Sequence, residues 1–166
     1  MILAYLGLGA NLNDPLAQLH FAIEQLDQHA QISLSACSSM YASKPMGPQD
    51  QPDYVNAVVA ITTSLPPEAL LDVCQAIETA AGRVRGRRWG ARTLDIDILL
   101  YGQQVCNTPR LCIPHLGIEQ REFVLIPLTE IAPQLRLPNG TPIAQLAAAI
   151  ALNGLDKIAP AVTIQV

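Results

Sequence analysis

The chain has 166 residues and a formal net charge of −4, with 50% hydrophobic and 14% charged residues. That length fits a single domain, 1–166, able to bury roughly two thirds of its unfolded surface, and the composition excludes a disordered chain. An acidic balance excludes nucleic-acid binding by the whole surface, so basic character must be local and suited to a small anionic ligand.

Residues 2–9 read as a buried first strand ending at Gly7-Leu8-Gly9-Ala10-Asn11. The segment carries no basic n-region, which argues against a signal peptide. Its Gly-x-Gly lacks the third glycine of a dinucleotide fingerprint, since Leu12 stands there, and no Walker-type Gly-Lys-Ser/Thr follows. The glycines are read as serving the turn after the strand. Asn13 or Asp14 can cap a helix that has Pro15 at its first position and Leu16, Leu19, Ile23 and Leu26 as its stripe, through about residue 28.

Residues 31–42 turn β-like, and SKPMGPQDQPDY follows with three prolines and a glycine. That density predicts a stiff loop suited to walling a pocket. Residues 54–63 predict a strand on which Tyr54 and Asn56 share a face. Pro66-Pro67 opens a second helix, to about Gly82, with Leu70, Val73, Cys74 and Ile77 inward. Gln75 and Glu78 lie three apart, a spacing that by itself describes a solvated face.

The stretch 83–101, RVRGRRWGARTLDIDILLY, holds five of the ten basic residues and then two carboxylates inside an apolar run. On a strand, Asp95 and Asp97 point one way while Leu94, Ile96, Ile98 and Leu100 point the other. Two such carboxylates repel unless a cation lies between them, and Mg²⁺ takes oxygen ligands while keeping waters and substrate phosphates. Beside an arginine-rich, glycine-punctuated loop, this predicts a polyphosphate site.

Gly102 begins a hairpin-like turn to Val105, and 111–115 predicts a short strand ending at Pro114-His115. A short helix is expected around 127–131 and a final one from Pro142 to about 152; the tail 153–166 lacks periodicity and is expected to be flexible. Cys37, Cys74, Cys106 and Cys112 show no metal or redox spacing and sit in apolar segments, which predicts buried, reduced thiols and a cytoplasmic protein. No apolar run has the length of a membrane span. The order strand, helix, two strands, helix, strand predicts an α+β fold: a ferredoxin-like α/β sandwich, mainly antiparallel, with helices packed on the sheet.

The chain resembles the 6-hydroxymethyl-7,8-dihydropterin pyrophosphokinases from its first strand to about residue 142. The strongest piece is the run Arg88-Trp89-Gly90-Ala91-Arg92-Thr93-Leu94-Asp95-Ile96-Asp97-Ile98-Leu99. GPQDQPDYVNAVV at 47–59, Gly82-Arg83-Val84-Arg85, Ile113-Pro114-His115, Arg121-x-Phe123 and Glu130-Ile131-Ala132-Pro133 support it in the right order. The resemblance implies transfer of pyrophosphate from Mg-ATP to the pterin's hydroxymethyl oxygen, with release of AMP, by a monomer without nucleic-acid or membrane partners.

Carried over, Asp95 and Asp97 would bridge two Mg²⁺ ions, and Arg83 and Arg92 would meet the moving phosphates. Gln75, Glu78, Arg85, Arg88, Ile98, His115 and Arg121 would line the ATP side. Tyr54 and Phe123 would sandwich the pterin, Asn56 and the backbone near Ser43 and Met46 would read its polar edge, and Trp89 would close over both ligands. The chain departs from the family at Ser43-Lys44, where Thr-Pro is common, at Ala91 for Pro, at Cys112 for Thr and at Leu116 for an aromatic. Another metal-dependent phosphotransferase could use the same Asp pair, though not the pterin residues. An RNA-binding sheet would need more than two Phe and four Tyr, and an RNP-like motif that is missing here.

Overall fold

The computed structural model describes residues 1–12, 14–44, 53–82 and 94–161. Strand β1 (Ile2–Ala10) leads into helix α1 (Pro15–Gln28), whose start is fixed by Pro15 and by the Asp14 carboxylate accepting the Ala17 amide. Then come β2 (Ile32–Cys37), β3 (Met40–Ser43), β4 (Tyr54–Thr63), α2 (Pro67–Ala80) and β5 (Asp95–Tyr101). The short hairpin β6 (Cys106–Asn107) and β7 (Cys112–Ile113) precedes α3 (Glu122–Ile131), α4 (Ile143–Ala149) and β8 (Asp156–Ala159).

The strand order is β5-β1-β4-β3-β8, with β2 also paired to β4, and the pairings are antiparallel. β2 and β3 lie end to end along one edge of β4. At the break between them, the Ser38 amide donates to the Val58 carbonyl and its hydroxyl accepts the Val58 amide, so β4 loses no backbone partner there. With β2 and β3 counted as one interrupted strand, the first seven elements are the βαββαβ unit expected from the sequence.

Two cores sandwich the sheet. On one face α1 and α2 bury Leu19, Leu26, Leu70 and Cys74 against Leu6, Val59, Ile96 and Ile98. On the other, α3 and α4 cover part of the sheet, with Val124, Leu128 and Ile143 against Tyr5, Val58, Leu99 and Leu100. Covering only part of this second face leaves room for a site.

Several local expectations need correction. Leu100 does not share a face with Ile96 and Ile98: Tyr5 pairs with Leu100 but Leu6 pairs with Ile98, so Leu99 is an extra residue and the alternation breaks. β1 continues through Gly7 and Gly9 to Ala10, because both glycines have partners on β4 and β5. α3 begins at Glu122, five residues before the expected start, with Pro127 inside it; α4 ends at Ala149. Aperiodic as it is, the tail contains β8, which adds to β3. The four cysteines are free thiols, yet only Cys37 and Cys74 are buried; Cys106 and Cys112 lie on the two-residue strands of a surface hairpin and are partly exposed. Among the described residues, no helix is long and apolar enough to cross a membrane.

Candidate active site

The uncovered part of the second face is a cavity with a floor of β1, β4 and β5 and a wall from α3. Its lining includes Gly7, Gly9, Ser43, Tyr54, Asn56, Asp95, Asp97, Arg121 and Phe123. Strand alternation explains the floor. Gly7 and Gly9, Tyr54 and Asn56, and Asp95 and Asp97 are pairs two residues apart, and Gly9 sits opposite both Asn56 and Asp95.

The glycines flatten the floor. A Cβ at Gly7 would come 3.4 Å from a Leu99 methyl, and one at Gly9 would come 3.3 Å from the Asn56 side-chain oxygen. Side chains there would fill the cavity or displace the groups that line it. Asn56 is held from its other end: its amide donates to the Ser43 hydroxyl at 2.7 Å, and both residues are buried. An Asn fixed by a second side chain offers a preset hydrogen-bonding edge, suited to a flat polar heterocycle.

Across the cavity, Phe123 lies in the first turn of α3, and the Arg121 guanidinium stands over its ring at 5.7 Å from the centroid. Gly117 permits that placement, since a Cβ there would meet Arg121 Nε at 2.5 Å. Arg121 thus brings a cation to the wall opposite the carboxylates of β5.

Asp97 is half exposed into this space, and its Oδ2 lies 3.9 Å from His115 Nε2, beyond hydrogen-bond range. His115 is oriented by its backbone amide donating to Leu99 O and by Nδ1 accepting the Gly117 amide, both at 3.1 Å. Among the described residues no cluster of three or more His, Cys, Asp or Glu side chains could hold an ion. The donors that Asp95 and Asp97 bring to this face are hard carboxylate oxygens. This fits Mg²⁺, which leaves most of its coordination to water and phosphate oxygens, and does not fit a structural zinc centre.

Two residues expected on the ATP side behave differently. Glu78 is not on a solvated face: it is 5% exposed, and its Oε2 accepts the Ile96 amide at 2.8 Å, between the two aspartates. β1 occupies only one edge of β5, and Glu78 from α2 serves the other. The Ile98 side chain is buried in the α1–α2 core, so only its backbone could meet a ligand. Gln75 is partly exposed, with Arg110 Nη2 at 3.5 Å from its Oε1; the same guanidinium pairs with Asp72 at 2.7 Å. Nearby, burial above all pushes the Cys74 thiol up to about 12, helped by the negative charges of Glu78 and Asp97, so this cysteine is not a nucleophile. Met46, Arg83, Arg85, Arg88, Trp89 and Arg92 lie outside the described residues.

Sequence reasoning missed Gly7, Gly9, Leu99, Val124 and Lys44, which also line the cavity. The signal for the glycines was present, since two glycines at alternate strand positions open one face of a sheet.

Residues 5–133 match the family model described as 7,8-dihydro-6-hydroxymethylpterin-pyrophosphokinase. A Haemophilus influenzae protein named 2-amino-4-hydroxy-6-hydroxymethyldihydropteridine pyrophosphokinase is 53% identical over 160 residues, spanning 96% of this chain and 100% of the relative. A Pseudomonas aeruginosa protein of the same name is 47% identical over 154 residues, spanning 93% and 95%. Among solved structures, a Plasmodium falciparum HPPK-DHPS crystallised with pteroate superposes with a TM-score of 0.71 at 15% identity, over 89% of this chain and 42% of that one. That likeness carries the fold alone; the sequence matches carry the family. The chain belongs to the 7,8-dihydro-6-hydroxymethylpterin-pyrophosphokinase family.

Proposed function

We propose that the cavity on the second face is where the pterin and the pyrophosphate donor meet. In this reading Asp95 and Asp97 hold two Mg²⁺ ions, and Tyr54 and Phe123 hold the pterin ring. Like the rest of its family, the chain is an ATP-dependent pyrophosphokinase that modifies the hydroxymethyl group of 6-hydroxymethyl-7,8-dihydropterin in folate biosynthesis. The observation that carries the site is the shared face: the carboxylates of β5 and the aromatic and amide groups of β4 open into one cavity, separated only by the glycines of β1.

The chemistry requires little covalent participation from the protein. The substrate hydroxyl oxygen bonds to the β-phosphorus of ATP and its proton passes to solvent, the bond from that phosphorus to the oxygen bridging to the α-phosphate breaks, and AMP departs with the bridging oxygen. Bound Mg²⁺ would neutralise charge on the transferring oxygens. Tyr54 and Phe123 orient the ring so that its hydroxymethyl group faces the carboxylate side, and Asn56, preset by Ser43, reads the polar edge. Arg121 supplies positive charge from the opposite wall. Arg83 and Arg92 are assigned to the moving phosphates, with Arg85, Arg88 and His115 on the nucleotide side.

Phe123→Ala tests the pterin half of this reading. Loss of one ring of the sandwich should weaken pterin binding by about 2 kcal/mol, roughly thirtyfold, with ATP affinity little changed. Calorimetric titration of the variant with pterin and with a non-hydrolysable ATP analogue measures both. A lowered melting temperature with unaltered pterin affinity would return Phe123 to the core.

A further inference from the structure

Three distant pieces of the chain meet at the β3–β8 edge of the sheet, across from the β5 edge that carries the carboxylates. Glu130, near the C-terminus of α3, accepts bonds from the Ser39 amide at 3.1 Å to each carboxylate oxygen, from the Ser39 hydroxyl at 2.7 Å and from the Tyr41 hydroxyl. Lys157 of β8 lies over the Tyr41 ring at 5.9 Å. Burial acts to raise the Glu130 carboxyl, but the bonds from Tyr41 and Ser39 and the nearby Lys157 prevail and hold it below the ordinary glutamate range. The carboxylate is thus charged at neutral pH and fully engaged.

The position of this junction gives it a second meaning. Tyr41 is the register partner of Asn56, and Ser43, which fixes Asn56, lies two residues further along β3. At the other end of α3 stands Phe123. Glu130 therefore ties the helix that carries one wall of the cavity to the strand that orients the other. Pro127 interrupts the hydrogen-bond ladder between Phe123 and Glu130, but Val124 and Leu128 on either side of it pack into one buried cluster, so a shift at one end of α3 is passed to the other.

We infer that Glu130, through Ser39 and Tyr41, is a positioning residue for the pterin: it sets the separation between Phe123 and the Tyr54–Asn56 edge, and β8 shares in this through Lys157. The inference rests on the pterin placement proposed above. Glu130 does not line the cavity, so its removal should alter the fit of the flat ligand and leave the nucleotide side untouched.

Tyr41→Phe removes the hydroxyl and keeps the ring beneath Lys157; Glu130→Gln keeps the shape and loses the charge. Each should raise the pterin Kd on the order of threefold to tenfold, the range of such remote couplings, with ATP-analogue affinity within about twofold of the parent. The double variant should lose less than the sum of the two singles, because both act on the Tyr41–Glu130 bond. A melting-temperature loss with unchanged pterin Kd would reduce the junction to a structural clamp and overturn the inference. Equal weakening of both ligands would also overturn it, as general loosening. Phe123→Ala separates the two levels. If it loses pterin affinity while the junction variants do not, the junction inference alone fails. If it too keeps full affinity, the pterin placement fails and the inference with it.

Discussion

Asp97→Ala is expected to lower turnover on the order of a thousandfold or more while pterin affinity stays near the parent value. Asp97 is half exposed into the cavity on the same face as Asp95, and the only basic group paired with it among the described ion pairs is His115 at 3.9 Å. Among the described residues its carboxylate forms no structural bond, which leaves it available to a cation. Charge developing on transferring phosphate oxygens must be offset within a few ångströms, and losing one of the two proposed ligands would remove that offset at the transition state. Asp97→Asn should behave almost as badly, because an amide keeps the shape and donates no charge. Both variants are checked by AMP release across a Mg²⁺ titration, with pterin binding measured separately. Normal turnover of Asp97→Ala at modest Mg²⁺ would sink the metal assignment.

The parts of this protein that sequence made legible are those governed by local rules. Period-two alternation placed Asp95 with Asp97 and Tyr54 with Asn56, and proline with the Asp14 cap placed the start of α1. What sequence could not show depends on pairing between distant strands. The bulge at Leu99 exists only relative to Tyr5 and Leu6, so no period in residues 95–101 could announce that Leu100 changes face. β8 is a strand because β3 offers an edge, not because of its own pattern. The helix that carries Phe123 begins at Glu122 and not near residue 127, because the chain stays helical on both sides of Pro127. The same blindness applied to Glu78, whose role is set by an unserved edge of a strand 18 residues away.

Glu78→Ala should destabilise the protein by about 2–3 kcal/mol, because it leaves the Ile96 amide without its charged acceptor in a buried setting. For a domain of this size that corresponds to a fall in melting temperature of roughly 5–10 °C. The position of the lost bond matters as much as its strength. Ile96 lies between Asp95 and Asp97, and with β1 holding only one edge of β5, releasing the other frees this segment to twist. Misplacing the carboxylates should raise the Mg²⁺ concentration needed for half-maximal turnover, beyond any effect of partial unfolding. Glu78→Gln retains an acceptor oxygen for Ile96, so it should keep most of the stability and much of the Mg²⁺ response. The resemblance instead implies a nucleotide contact, and the two roles separate cleanly. Thermal melts of both variants, paired with Mg²⁺ titrations of activity and ATP-analogue binding, decide between them. A Glu78→Ala protein that melts like the parent and loses only nucleotide affinity would show that the side chain serves ATP and that β5 holds its shape without it.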